Sequence, residues 1–225
     1  MQNITLPMKD RKTAGKALAN ALLDYAGRDD VIVLTLPRGG VPVAYEVASR
    51  LQVNLDLITV RKLGTPGQRE LAMGAIASGG IRVLNQDIIN SLHISDAAIE
   101  ATTEQETVEL ERREHAYRGD HPRPEIKGQC VILVDDGIAT GATMRAGIQA
   151  LKQLEPAEII VAVAVAPEET VKLLEQEVDT VVCLASPEPF YAISYWYDAF
   201  PQVQDDEVSA LLNDIWQRNT LTESI

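Results

Sequence analysis

The sequence predicts an α/β fold: a mainly parallel sheet flanked by helices, Rossmann-like, with a small C-terminal hood. Three observations predict it. Short, continuous apolar runs suited to strands buried on both faces alternate with stretches of helical periodicity. The alternation follows the spacing of crossover units, and no internal repeat or low-complexity block interrupts it. A chain of 225 residues is long enough for one sizeable core with an appendage. The expected division is a core over 1–186, with a helical excursion at about 95–118, and a hood with a closing helix over 187–225.

Taken in order, Lys9 to Tyr25 carries Ala14, Leu18, Ala21 and Leu22 at helical spacing, and Val31 to Leu36 is a β-branched strand. Pro42 to Leu51 is a helix with proline in its first turn, and Leu55 to Val60 a second strand. The Gly/Pro-punctuated LGTPGQ that follows is expected to be a loop. Met73 to Ala77 and Ile81 to Leu84 form a hairpin about Gly79 and Gly80. Ser95 caps a long, mostly solvated helix running to Arg118, rich in Ala, Glu and Arg. Beyond a rigid connection at His121 to Pro124 come a strand at Val131 to Val134 and a helix at Thr143 to Leu154. Glu158 to Ala166, Glu168 to Gln176 and Asp179 to Leu184 supply strand, helix and strand. An aromatic-rich tail from Pro187 to Pro201 leads to an amphipathic helix over Asp205 to Arg218.

Composition excludes several classes. The longest apolar runs are far too short to cross a bilayer, so no membrane partner is expected. A formal charge of −13 repels a phosphate backbone, which argues against nucleic acid but leaves room for a small anion held by helix termini and a few basic residues. The opening MQNITLPMKDRK has no apolar stretch followed by small residues and is not read as a secretory leader. Cys130 and Cys183 each lie in an apolar run, so buried free thiols and a cytoplasmic setting are expected. His93, His115 and His121 show no metal-ligand spacing and are read as solvated surface residues. No serine sits in a nucleophile-elbow context.

The most informative segment is VILVDDGIATGATM, Val131 to Met144. Four apolar residues form a strand, two carboxylates stand at its carboxyl end, and seven mostly small or hydroxylated residues turn the chain into a helix. Ligands of open α/β sheets sit at that end of the strands. Small residues let backbone N–H groups approach a phosphate with a favourable helix dipole. Carboxylates there would accept hydrogen bonds from sugar hydroxyls. Neither GxxxxGK[ST] nor GxGxxG is present here, which excludes a nucleotide P-loop and makes a dinucleotide site unexpected.

This segment closely resembles the motif by which type I phosphoribosyltransferases bind phosphoribosyl pyrophosphate (PRPP). The resemblance implies that Asp135 and Asp136 hold the ribose hydroxyls, while Ala139, Thr140, Gly141, Ala142 and Thr143 cradle the 5′-phosphate. It also implies Mg²⁺, bound mainly by PRPP itself, with at most water-mediated contact to the two acids and no direct protein ligand. LPRGGVP, Leu36 to Pro42, looks like the family's pyrophosphate loop, with Arg38, Gly39 and Gly40 facing the anion. This family often has a cis or strained peptide there, at a position the sequence does not reveal. Val60 to Ala77 looks like its flexible loop, with Arg61 and Lys62 neutralising pyrophosphate and Gly64, Pro66 and Gly67 as hinges; the run is most reminiscent of adenine phosphoribosyltransferases.

Phe190, Tyr191 and Trp196 are candidates to stack a planar acceptor, and a subdomain core or dimer contact is the equal alternative for these rings. The implied reaction moves ribose 5-phosphate onto a nitrogen nucleophile, such as a nucleobase in nucleotide metabolism, with Arg38, Lys62, Asp135 and Asp136 as its principal residues. Ala139 stands where enzymes using hypoxanthine or guanine carry an acid, which disfavours a 6-oxopurine. The competing reading is a PRPP-binding regulatory protein with little or no transferase activity. A homodimer is the family habit.

Overall fold

The structure is a computed structural model and describes residues 4–222. Its centre is a parallel sheet of five strands in the order β2-β1-β6-β7-β8. These are β1 (Val31–Thr35), β2 (Asn54–Leu57), β6 (Cys130–Asp135), β7 (Glu158–Val165) and β8 (Thr180–Ala185). A separate antiparallel sheet contains β3 (Val60–Thr65), β4 (Gln68–Ala77) and β5 (Ile81–Leu84). The helices are α1 (Arg11–Ala21), α2 (Gly40–Leu51), α3 (Gln86–Ser91), α4 (Asp96–Arg118), α5 (Ala142–Gln153), α6 (Glu168–Leu174) and α7 (Asp205–Thr222).

Apolar residues of β1, β6 and β7 alternate between two cores, as a strand covered on both faces requires. Val33, Ile132 and Ile160 face α2 and α7, whereas Leu34, Leu133 and Val161 face α5. Helix α7 is therefore a structural layer of the sheet. Its Val208, Leu212 and Ile215 are buried, and the Trp216 indole N–H donates to Leu55 O at 2.8 Å.

The crossovers leave β1 and β6 in opposite directions. From β1 the chain runs through α2 to β2 on one side; from β6 it runs through α5 to β7 on the other. Because β1 and β6 are neighbours, with Thr35 paired to Val134, a crevice opens between their carboxyl ends. The Thr35 hydroxyl ties the two ends by donating to Val134 O at 3.0 Å.

Several expectations are corrected. The strand read over Leu55 to Val60 divides, because Thr59 turns the chain out of the parallel sheet. Its N–H is taken by the Ser78 hydroxyl at 2.9 Å, and Val60 opens β3 instead. The expected loop LGTPGQ is a hairpin: Thr65 pairs with Gln68 around Pro66-Gly67, and Gly67 takes φ +78°. Proline followed by a glycine at positive φ is the signature of a tight turn, so the signal is present in the sequence. Helix α3 lies in a stretch assigned no element. His121 is not a solvated residue: its ring stacks on Trp216 with centroids 3.7 Å apart, because α7 closes under the 119–124 connection. Both cysteines are free, but only Cys130 is buried; Cys183 lies half-exposed on the edge strand β8.

Helix α4 begins at its Ser95 cap, which accepts from Ala98 N–H. It has no continuous apolar stripe and is anchored largely by ion pairs. Buried Glu114 accepts from Arg123 Nε and Nη2, at 2.7 and 2.8 Å, and buried Arg118 reaches Asp56 at 2.7 Å. Near its start, Arg82 of β5 pairs with Glu100. These contacts fix α4 against the hairpin and beside the crevice.

Candidate active site

Two loops meet in the crevice. After β1 comes Leu36 to Gly39, with a cis peptide between Pro37 and Arg38, and then the first turn of α2. After β6 come Asp135, Asp136 and the turn into α5. The loops pack so closely that side chains are excluded. A Cβ on Gly39 would overlap the Asp136 carboxylate, and one on Gly40 would lie 2.5 Å from the Thr35 hydroxyl and 3.0 Å from Asp135 Oδ1. Gly40→Ala is therefore expected to cost about 1–3 kcal/mol through overpacking, measured by urea denaturation, and to distort the two acids.

The acids differ in setting. Asp135 is half-buried, and its Oδ1 accepts from the Asp136 N–H at 2.8 Å. Burial, and then the neighbouring Asp136, push its pKa well above the ordinary carboxylate range. Asp136 is buried and bonded to Arg11 Nε at 2.7 Å, and Tyr197 donates its hydroxyl to Asp136 O at 2.6 Å. Its pKa is also raised by burial, although Arg11 opposes the rise. Arg11 in turn donates to Pro201 O and lies 3.7 Å over the Phe200 ring, so the C-terminal segment is bound into the site.

The turn that follows exposes Ala139, Thr140, Ala142 and Thr143. Gly141 takes φ +75°, a conformation that favours glycine, and no side chain caps α5. The first-turn amides of that helix consequently lack side-chain acceptors, the arrangement suited to an anion. The Thr170 hydroxyl braces the turn from α6 by donating to Ala139 O at 2.9 Å.

Arg38 lines a cavity of about 180 Å³ together with Thr143 and residues of α4, and pairs with Asp205 of α7 at 3.3 Å. Arg61 and Lys62 are elsewhere. They line a separate cavity of about 450 Å³ between the hairpin and α4, where Arg61 is paired with Glu106 and Lys62 with Glu70 at 3.2 Å. The structure thus joins Arg38, Gly39 and Gly40 to Asp135, Asp136 and the 139–143 turn, but does not bring Arg61 and Lys62 into Arg38's cavity. Phe190 and Trp196 are half-buried with ring centroids 6.3 Å apart, and Tyr191 is largely exposed. Ile193 of the same segment packs where a Cβ on Gly137 would stand. Sequence patterns do not single out Arg11, whose partner lies 125 positions away, or Arg112 and Arg113, which look like ordinary surface charges of a helix. Among the described residues, no three His, Cys, Asp or Glu side chains converge as a metal site, and no helix is long and apolar enough to cross a membrane.

Residues 6–193 match the family model described as "Phosphoribosyl transferase domain". This chain belongs to the phosphoribosyltransferase family. It is 40% identical to a protein of known structure, TT1426 from Thermus thermophilus, with a TM-score of 0.82 over 92% of this chain and 98% of that one. It is 45% identical over 204 residues to "Putative phosphoribosyl transferase Rv0571c" of Mycobacterium tuberculosis, covering 91% of this chain and 46% of that protein. This member of the family therefore spans about half the length of that relative. The AQ2163 protein from Aquifex aeolicus, at 13% identity and a TM-score of 0.50 over 90% of this chain and 84% of that one, shares the fold.

Proposed function

We propose that this phosphoribosyltransferase binds PRPP between the carboxyl ends of β1 and β6 and transfers its ribose 5-phosphate to a nitrogen nucleophile. The observation that carries the reading is the junction of an acid pair with the uncapped N-terminus of α5, closed on its other side by Gly39 and Gly40. The 5′-phosphate accepts from amides of the 139–143 turn and from the Thr140 and Thr143 hydroxyls. The ribose hydroxyls donate to Asp135 and, beside it, Asp136, whose second role is to hold Arg11.

The bond between the anomeric carbon and the pyrophosphate oxygen breaks as a bond to the acceptor nitrogen forms on the opposite face, and the nitrogen gives up its proton. The transition state has oxocarbenium character, so charge grows on the leaving group. In this reading Arg38 and the backbone of Gly39 and Gly40 receive it. Bound Mg²⁺ would add electrostatic neutralisation of the pyrophosphate. The residues fit a metal carried in by the donor, since both acids have protein partners and neither belongs to a closed ligand cage. Arg61 and Lys62 act in this scheme only if the hairpin exchanges Glu106 and Glu70 for the pyrophosphate. Phe190, Tyr191 and Trp196 supply the aromatic surface for a planar acceptor, and Ala139 in the turn argues for one other than a 6-oxopurine.

The pairing of Arg61 and Lys62 with acids, away from Arg38, specifically favours a second reading, a PRPP-binding regulatory protein. Incubation with Mg²⁺-PRPP and a panel of adenine, pyrimidine and 6-oxopurine bases decides between them through pyrophosphate release. The enzyme reading expects base-dependent release, strongest with a base that is not a 6-oxopurine. Donor binding without release for any base selects the regulator.

A further inference from the structure

The cavity that Arg38 lines takes its other basic residues from α4, while the hairpin contributes Val60 to its wall. Arg112, Arg113 and Tyr117 of that helix line it with Arg38, Thr59 and Asp205. Three guanidinium groups thus gather around one small cavity in a chain whose formal charge is −13. The acid that lines it is Asp205, whose Oδ1 is 3.3 Å from Arg38 Nη1 and 3.2 Å from the Tyr117 hydroxyl. Arg112 and Arg113 are bonded to Glu109 on the same helix, with side chains 61% and 43% exposed. Exposed pairs of this kind are worth little, so both side chains can change partner at small cost.

A second observation is independent of these charges. Thr59 is only 3% exposed, it lines the same cavity, and its hydroxyl has no hydrogen-bond partner in the protein. A buried hydroxyl left unpaired is costly enough to call for an explanation. A ligand oxygen in the cavity supplies one.

We propose that Arg112 and Arg113, with Arg38 and the Thr59 hydroxyl, form the diphosphate subsite of this chain, and that Asp205 is an internal anion that occupies it until a ligand displaces the carboxylate. The assignment deepens the donor-binding reading and rests on it. It gives α4 the work expected of the Arg61-Lys62 loop, and it couples occupancy of the site to the first turn of α7.

Calorimetry on the full chain with inorganic pyrophosphate and, separately, ribose 5-phosphate tests it. Arg112→Ala and Arg113→Ala should each weaken pyrophosphate binding by about tenfold, the loss of one charge-assisted hydrogen bond, and leave ribose 5-phosphate affinity unchanged. Thr59→Val should weaken pyrophosphate binding without lowering the melting temperature, because the hydroxyl has no protein partner to lose. Asp205→Asn should tighten it. Pyrophosphate affinity unaltered by the double Arg112→Ala/Arg113→Ala variant overturns the subsite, and so does a failure of the unsubstituted chain to bind pyrophosphate. Unaltered affinity in Asp205→Asn overturns the role of the carboxylate. If pyrophosphate binds and the arginine variants lose it, but ribose 5-phosphate never binds, the subsite stands and the donor reading falls.

Discussion

Asp135→Asn is expected to weaken donor binding by about 10- to 100-fold while making the protein more stable at neutral pH. The first effect follows from the proposed role of Asp135: replacing a charged acceptor for ribose hydroxyls with a neutral amide loses about 1.5–3 kcal/mol. The second follows from burial. The folded-state pKa of Asp135 is raised by desolvation and by Asp136, so holding it ionised at neutral pH costs folding free energy. An Asn side chain removes that cost and still accepts from the Asp136 N–H. The melting temperature of the variant should accordingly lie above that of the unsubstituted chain at neutral pH. Its pH dependence has a definite sign. An acid whose folded pKa is raised binds more protons folded than unfolded, so its contribution to stability falls as pH rises from the ordinary aspartate value of about 3.9 through the raised one. The advantage of the Asn variant should accordingly vanish as pH falls toward about 4. Melting curves across the acid-to-neutral range, with calorimetry of Mg²⁺-PRPP binding, measure both effects. A variant that loses stability and keeps its affinity would contradict the placement of Asp135.

Arg11→Met is expected to be the most destabilising single change near the site. It leaves the Asp136 carboxylate buried without its cation, removes a hydrogen bond to Pro201 O, and deletes the stacking on Phe200. Breaking a buried pair from one side costs about 3–5 kcal/mol. At about 2–4 °C per kcal/mol, the melting temperature should fall on the order of 10 °C. Two controls separate the lost pairing from lost packing. The cost should shrink at acid pH, because Asp136 without Arg11 protonates more readily, and the double variant Arg11→Met/Asp136→Asn should recover much of the loss, with the difference read as a double-mutant cycle. A cost independent of pH would show that the guanidinium acts through packing alone.

The contrast between these two acids explains how far the sequence reaches. The alternation of buried strands and helices, the Ser95 cap and the strand-acid-turn segment at Val131 to Met144 are local patterns, and they predict the parallel sheet, the start of α4 and the acid pair at the carboxyl end of a strand. Gly39 and Gly40 are legible for the same reason: close approach needs small residues, and the motif is contiguous. The division of labour between Asp135 and Asp136 is not legible, because it depends on Arg11, brought from 125 positions away by the docking of α1. The α4 arginines are hidden in another way. In a helix rich in Glu and Arg, periodicity cannot distinguish a solvated pair from one beside a cavity, and only the tertiary position of Arg112 and Arg113 reveals them. The Pro66-Gly67 hairpin is legible in principle, since its turn chemistry is local; a glycine that hinges a lid and one that turns a hairpin differ only in the pairing around them.

The most direct measurement is a crystal structure of the full chain with PRPP and Mg²⁺ bound. The account predicts the 5′-phosphate on the amides between Ala139 and Thr143, a ribose hydroxyl on Asp135, and the diphosphate among Arg38, Arg112 and Arg113 with Asp205 displaced. A donor whose phosphate lies away from the first turn of α5, or whose sugar makes no contact with either aspartate, would contradict it.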